Sequence, residues 1–211
     1  MKKKLLSLLL VTGIFSIVSI SRSVNAQEDS NNLKFDYSFT NIITGKSLDI
    51  HPKILKLNTQ PARANMLSSI NSLDPNNYNA EVELEYPLPN NNNKMTTLST
   101  GDNETNETGV VRVLARINYD ISGSDIRVNS GSSRFTILNS SAYVSNRVLR
   151  IQQGFNNAAS YVPNTNSLYT KYTNWGFVHN YGGAATAKVV VEGTVGISGM
   201  SSYRVSSTVY R

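Results

Sequence analysis

His51 and His179 are the only imidazoles in this 211-residue chain, and it has no cysteine. A histidine base needs a nucleophile and an orienting acid beside it, and these converge in space rather than in sequence. Neither a Gly-X-Ser-X-Gly elbow nor a His-Glu-X-X-His pair accompanies the two residues. His51 precedes Pro52 in a loop-like stretch and His179 lies among aromatics. Surface or packing roles are the simpler reading for both. Glu81, Glu83 and Glu85 alternate with Val82, Leu84 and Tyr86. A glycosidase uses two carboxylates in different environments, whereas this spacing sets all three on one strand face, as a solvated face would have them. Asp102, Glu104, Asn106 and Glu107 gather oxygen ligands. The central Gly and closing Glu of a calcium loop are missing there. Thr44-Gly45-Lys46-Ser47 lacks the glycine spacing of a phosphate loop. No residue is therefore assigned to catalysis or to a metal, and no cofactor is expected.

Two sets of residues suit binding. Trp175-Gly176-Phe177-Val178-His179-Asn180-Tyr181 holds the only tryptophan. On one strand, Trp175, Phe177, His179 and Tyr181 share a face that stacks on sugar rings, with Asn174, His179 and Asn180 offering hydrogen bonds. Plugging a β-sandwich core is the competing role for Trp175 and Phe177. Arg112 and Arg116 lie on the outward side of another strand. With Arg127, Arg134, Arg147 and Arg150 they make a candidate patch for an anionic polymer or lipid headgroup; scattered solubilising arginines are the plainer reading.

The start of the chain bears on these partners. Lys2–Lys4, the apolar Leu5–Ile20 and the small-residue end Val24-Asn25-Ala26 follow the pattern of a secretory signal peptide cleaved after Ala26. The apolar run falls short of the roughly 20 residues that span a bilayer. Four of the 20 bases and none of the 14 acids leave with it, so the formal charge drops from +6 to +2. The remainder is lopsided: Gln27–Gly109 carries 11 acids and 6 bases, and Val110–Arg211 carries 10 bases and 3 acids. Such halves either attract each other or present the second to an anionic partner. An exported chain has little occasion to meet nucleic acid. Without cysteine it relies on its core, for which its length suffices.

The elements that position these residues are strands. Val111, Val113, Ala115, Ile117, Tyr119 and Ile121 alternate with Arg112, Arg116, Asn118 and Asp120, the period of a half-buried strand. Similar runs occupy Leu33–Phe39, Lys53–Leu57, Ala80–Tyr86, Asp125–Val128, Arg134–Leu138, Tyr143–Ile151, Ser167–Thr173, Trp175–Tyr181, Ala184–Ile197 and Tyr203–Arg211. Ser122-Gly123-Ser124 and Asn129-Ser130-Gly131 read as turns, Gln152–Ser167 as loop, and Gly193 and Gly196 as a bulge or close packing. Met66, Leu67, Ile70 and Leu73 have helical spacing. Pro87–Thr108, with its four-asparagine run, reads as a long loop or linker. The expectation is an all-β antiparallel sandwich, Ig-like or jelly-roll-like, of nine or ten strands. A short N-terminal helix is added, and residues 27–86 and 109–211 share one domain.

Tyr143-Val144-Ser145-Asn146-Arg147-Val148 and Ile151-Gln152-Gln153-Gly154-Phe155, set between Ser/Gly-rich strands, resemble small secreted β-rich proteins of Gram-positive bacteria. The resemblance covers about half of the mature chain. It implies export and an all-β fold and transfers no active site. The functional expectation is a secreted, non-enzymatic binding or surface-associated protein for a cell-wall polymer, glycan or anionic lipid surface. A membrane-active, bacteriocin-like toxin and a carbohydrate-active enzyme are the two alternatives.

Overall fold

The computed structural model describes residues 22–24, 33–61, 77–87, 109–180 and 187–211. These form two antiparallel sheets packed face to face, with no helix among the described residues. The Met66–Leu73 helix, residues 88–108 of the Asn-rich segment with their acidic side chains, and Tyr181 lie outside them.

The first sheet runs in the order β1 (Arg22–Val24), β2 (Lys34–Asn41), β12 (Tyr203–Tyr210), β11 (Ala187–Ile197), β7 (Ala142–Gln153), β8 (Asn157–Tyr161). The second is a meander of β3 (Lys53–Pro61), β4 (Asn77–Tyr86), β5 (Val111–Ser122) and β6 (Asp125–Ile137). Its far edge is completed by β9 (Tyr169–Tyr172) and β10 (Val178–His179), which both pair with β6. β1 falls inside the segment that the sequence reads as a cleaved leader.

The alternation places the core where it was expected. Val111, Val113, Ala115, Ile117 and Tyr119 of β5 are fully buried, as are Ala80, Val82, Leu84 and Tyr86 of β4. They meet Val189, Val191, Val205 and Val209 of the facing sheet in one cluster. Each such valine, leucine or isoleucine contributes about 1.5–3 kcal/mol by leaving water. Tyr86 crosses between the sheets to donate a hydrogen bond to the Ser206 carbonyl at 2.7 Å. Its ring and that of Tyr203 flank Phe39, with centroids 5.8 and 4.9 Å away.

Three local expectations change. Asn129-Ser130-Gly131 is no turn: β6 runs unbroken through it, and the extra residue is absorbed as a bulge where Asn118 pairs Ser130 but Tyr119 pairs Val128. Gly131 is there because the sheets approach closely, since a Cβ would stand 2.7 Å from Ile151 and 2.9 Å from Val189. Gln152–Ser167 is not all loop, because β8 forms a hairpin with β7 over Asn157–Tyr161. Trp175–Tyr181 is not one strand. β9 leaves β6 after Tyr172, the chain bulges out over Thr173–Phe177, and only Val178 and His179 return to pair with Ile126 and Asp125. The bulge expected near Gly193 is present between Glu192 and Thr194, where a Cβ on Gly193 would press Phe135 at 2.9 Å.

Candidate functional site

The outward face of the second sheet gathers most of the paired charges among the described residues. Register sets Glu81 opposite Arg116 and Glu85 opposite Arg112 on neighbouring strands. Arg116 Nε donates to Glu81 Oε2 at 2.8 Å, and Arg112 Nε to Glu85 Oε2 at 2.7 Å. Lys56 of β3 closes on the other oxygen of Glu81. Glu83 faces Leu114, so Arg134 reaches from β6 across that leucine to bond Glu83 at 2.8 Å. The ion pair roofs Leu114, which points outward by parity and is nonetheless only 2% exposed. Burial pushes the Glu81 carboxyl up, but the hydrogen bonds and charges of Lys56 and Arg116 outweigh it and hold the group below its ordinary range. A carboxylate so held is a poor proton donor. The three glutamates thus form no acid/base pair and no solvated face, and the guanidiniums of Arg112 and Arg116 are already engaged by carboxylates.

Towards the β9–β10 edge this face becomes aromatic. Asp120 and Arg127 stand opposite each other, three residues either side of the Gly123-Ser124 turn. Asp120 is 3% exposed and accepts from Arg127 Nε at 3.0 Å and from Asn77 Nδ2 at 2.5 Å. Asn77 in turn accepts from Asn118 Nδ2 at 3.0 Å, and Asn118 also donates to Asn79 Oδ1 at 3.0 Å. Phe177 lies against the Arg127 guanidinium, 4.7 Å from its ring centroid, and stays 42% exposed. A polar chain through β4, β5 and β6 therefore backs one aromatic ring that stays partly exposed to solvent. Tyr172, at the end of β9, is 78% exposed. Beyond Tyr172 along β6, away from Phe177, the hydroxyls of Ser132, itself 4% exposed, and Thr170 bond each other at 2.9 Å, and Asn174 is exposed on the bulge.

The bulge that carries Phe177 is pinned from beneath. Gln153 of β7 is fully buried and uses both ends of its amide. Its Oε1 accepts from Val128 N at 2.6 Å, and its Nε2 donates to the Gly176 carbonyl at 2.6 Å. Thr173 donates its hydroxyl to the Val128 carbonyl and its amide to that of Asn129. Orphaned backbone groups opposite a bulge are thereby satisfied.

The sequence cluster is split by this geometry. Trp175 packs half-buried against the core, while Phe177 and His179 lie on the outward side. His179 Nδ1 is 3.3 Å from Asp125 Oδ1, its partner across the β6–β10 pair. His51 belongs to the opposite edge of the sandwich, where Tyr37 Oη meets its Nδ1 at 3.1 Å and Asp49 lies 3.8 Å from its Nε2. The two histidines share no site. Among the described residues no three His, Asp or Glu side chains come together as metal ligands.

Tyr172, Asp120 and Gln153 were not picked out as a site by sequence reasoning, and Arg127 was named only within an arginine patch for an anionic partner. The Asp120–Arg127 pair had a signal, since both are equidistant from the Gly123-Ser124 turn. Gln153 had none, because its partners lie on β6 and on the bulge. A groove of about 360 Å³ on the outer face of the first sheet runs between Arg150, Gln152, Ser160 and Lys188. Arg150 there is held bidentately by Glu192 at 2.8 Å. No known protein family, curated protein or solved structure matches this chain.

Proposed function

We propose that the chain is a secreted, non-enzymatic binding protein that holds a cell-surface glycan against the outward β9–β10 edge of its second sheet. The observation that carries this is the Phe177–Arg127–Asp120–Asn77 chain. It fixes an exposed ring before any ligand arrives, beside a second exposed ring, Tyr172. Preorganised aromatics with a few polar neighbours are what sugar recognition asks for, since little ordering entropy remains to be lost. The leader-like Met1–Ala26 supports export. Engagement of Glu81, Glu83, Glu85 and Asp120 in ion pairs speaks against turnover. Burial of the whole apolar face of β5 speaks against a membrane hairpin drawn from it, because insertion would forfeit that core.

The test sets whole bacterial cell walls and insoluble polysaccharides beside dye-loaded liposomes. Mature protein is expected to be retained on a wall or glycan, releasing no reducing sugar and no dye. Dye release at low protein concentration would instead establish the toxin reading. Sugar release abolished by substituting one carboxylate or histidine would establish an enzyme.

A further inference from the structure

We propose that the ligand of this face is an uncharged glycan, gripped by ring stacking and hydrogen bonds rather than by charge. This rests on the binding reading above and narrows it.

Every carboxylate of this group of charges is held by a cation, and five cations to four acids leave a surplus of one. Arg112 holds Glu85, Arg116 and Lys56 hold Glu81, Arg134 holds Glu83 and Arg127 holds Asp120. A phosphate or carboxylate polymer would have either to share a guanidinium whose charge a carboxylate already offsets or to draw it away. Asp120, 3% exposed, would lose its only cation and keep Asn77 alone. That cost opposes the attraction the anion offers. Around the two rings the remaining charges among the described residues are Lys171, Asp125 and His179. Lys171 lies over the rings of Tyr161 and Tyr169, 5.6 and 5.4 Å from their centroids, and Asp125 stands against His179. None of these concentrates positive potential beside Tyr172 and Phe177.

What the face does offer is neutral. Arg127 lies over the Phe177 ring and polarises it, and the 42% of the residue that stays exposed is apolar surface for the C–H face of a sugar. The Asn174 amide, exposed on the bulge between the two rings in the chain, can give and accept hydrogen bonds, as polyols require. Two exposed rings are too small a patch for a stable protein partner, whose interfaces need roughly 800 Å² on each side.

The test is affinity electrophoresis of the mature protein in gels holding an uncharged polysaccharide (mixed-linkage β-glucan, xyloglucan or galactomannan) or an anionic one (polygalacturonate, teichoic acid or heparin). Soluble binding is then titrated from roughly 0.05 to 0.5 M salt, a range over which exposed charges become screened. Retardation by an uncharged polymer is expected, with affinity changing less than about twofold across the salt range. Tyr172→Ala and Phe177→Ala should each weaken it about 5- to 10-fold. Unchanged Trp175 emission and melting temperature would show that both variants keep the fold. The balanced double variant Arg112→Gln/Glu85→Gln should bind as well as the parent. Retardation by anionic polymers alone, lost in high salt, would overturn the uncharged assignment and leave the binding-protein reading standing. No retardation by any polymer, with no retention on cell walls, would overturn both.

Discussion

Arg127 does two jobs at once, and its removal separates them. It neutralises a buried carboxylate and it backs an aromatic ring. Arg127→Met leaves Asp120 with only Asn77 as a side-chain partner and should cost about 2 kcal/mol. That is below the range for a fully buried pair, because the guanidinium is itself partly exposed. Urea unfolding measures this. Adding Asp120→Asn should recover most of the loss, since the unpaired charge is then gone. At this scale the sequence was legible where a turn fixed the register. Glu81, Glu83 and Glu85 were correctly placed on one outward face. Their fate was not legible, because whether a strand face meets water or guanidinium depends on which strand lies beside it. For the same reason Leu114, even-numbered and outward, could not be recognised as buried: its roof is built from β4 and β6.

At the scale of the element, the interrupted edge of β9 and β10 decides what the molecule presents. A continuous strand over Trp175–Tyr181 would have set Trp175 and Phe177 on the same side. The bulge sends the indole toward the core and the phenyl ring outward. Sequence alternation cannot foretell this, because it assumes the pleat that the bulge breaks. Gln153 is the residue that holds the bulge. Gln153→Leu strands the buried Val128 amide and releases the Gly176 carbonyl of the exposed bulge, at a cost of about 1–3 kcal/mol. Hydrogen exchange should show faster exchange at Val128 and through Thr173–Val178, with β5 and β11 unaffected. Gly131→Ala is an independent check on sheet packing. A Cβ pressed into Ile151 and Val189 should lower stability by about 1–3 kcal/mol, and Ile151→Val beside it should restore part of that.

At the scale of the whole molecule, part of the charge asymmetry between the two halves of the sequence is used within the fold. Glu81, Glu83 and Glu85 come from the acidic half, and Arg116, Arg134 and Arg112 from the basic half; their pairs stitch β4 to β5 and β6. The all-β class and the core were readable because alternations as long as Val111–Ile121 leave little choice. The internal use of the charge was not, since composition gives no partners. Titration brackets the stability that results. Glu81 has its folded value below its unfolded one, so its contribution is complete above the unfolded value and is lost as pH falls through the folded one. Burial raises Tyr86, with Tyr37 adding to it, and burial together with a hydrogen bond to Asp36 raises Tyr210. The unfolded chain releases those protons near about pH 10 while the folded chain keeps them, so stability falls again above it. Urea midpoints should therefore hold level between about pH 5 and 10 and decline on both sides.

The central claim is that the β9–β10 edge is where a glycan sits, and a residue-resolved footprint tests it most directly. Mature protein labelled for nuclear magnetic resonance is titrated with soluble oligosaccharides cut from whichever polymer retains it. Shift changes confined to Tyr172, Asn174, Phe177 and the facing residues of β6 are the predicted result. Changes centred on Arg112 and Arg116, or on the Arg150–Lys188 groove, with Phe177 undisturbed, would contradict it.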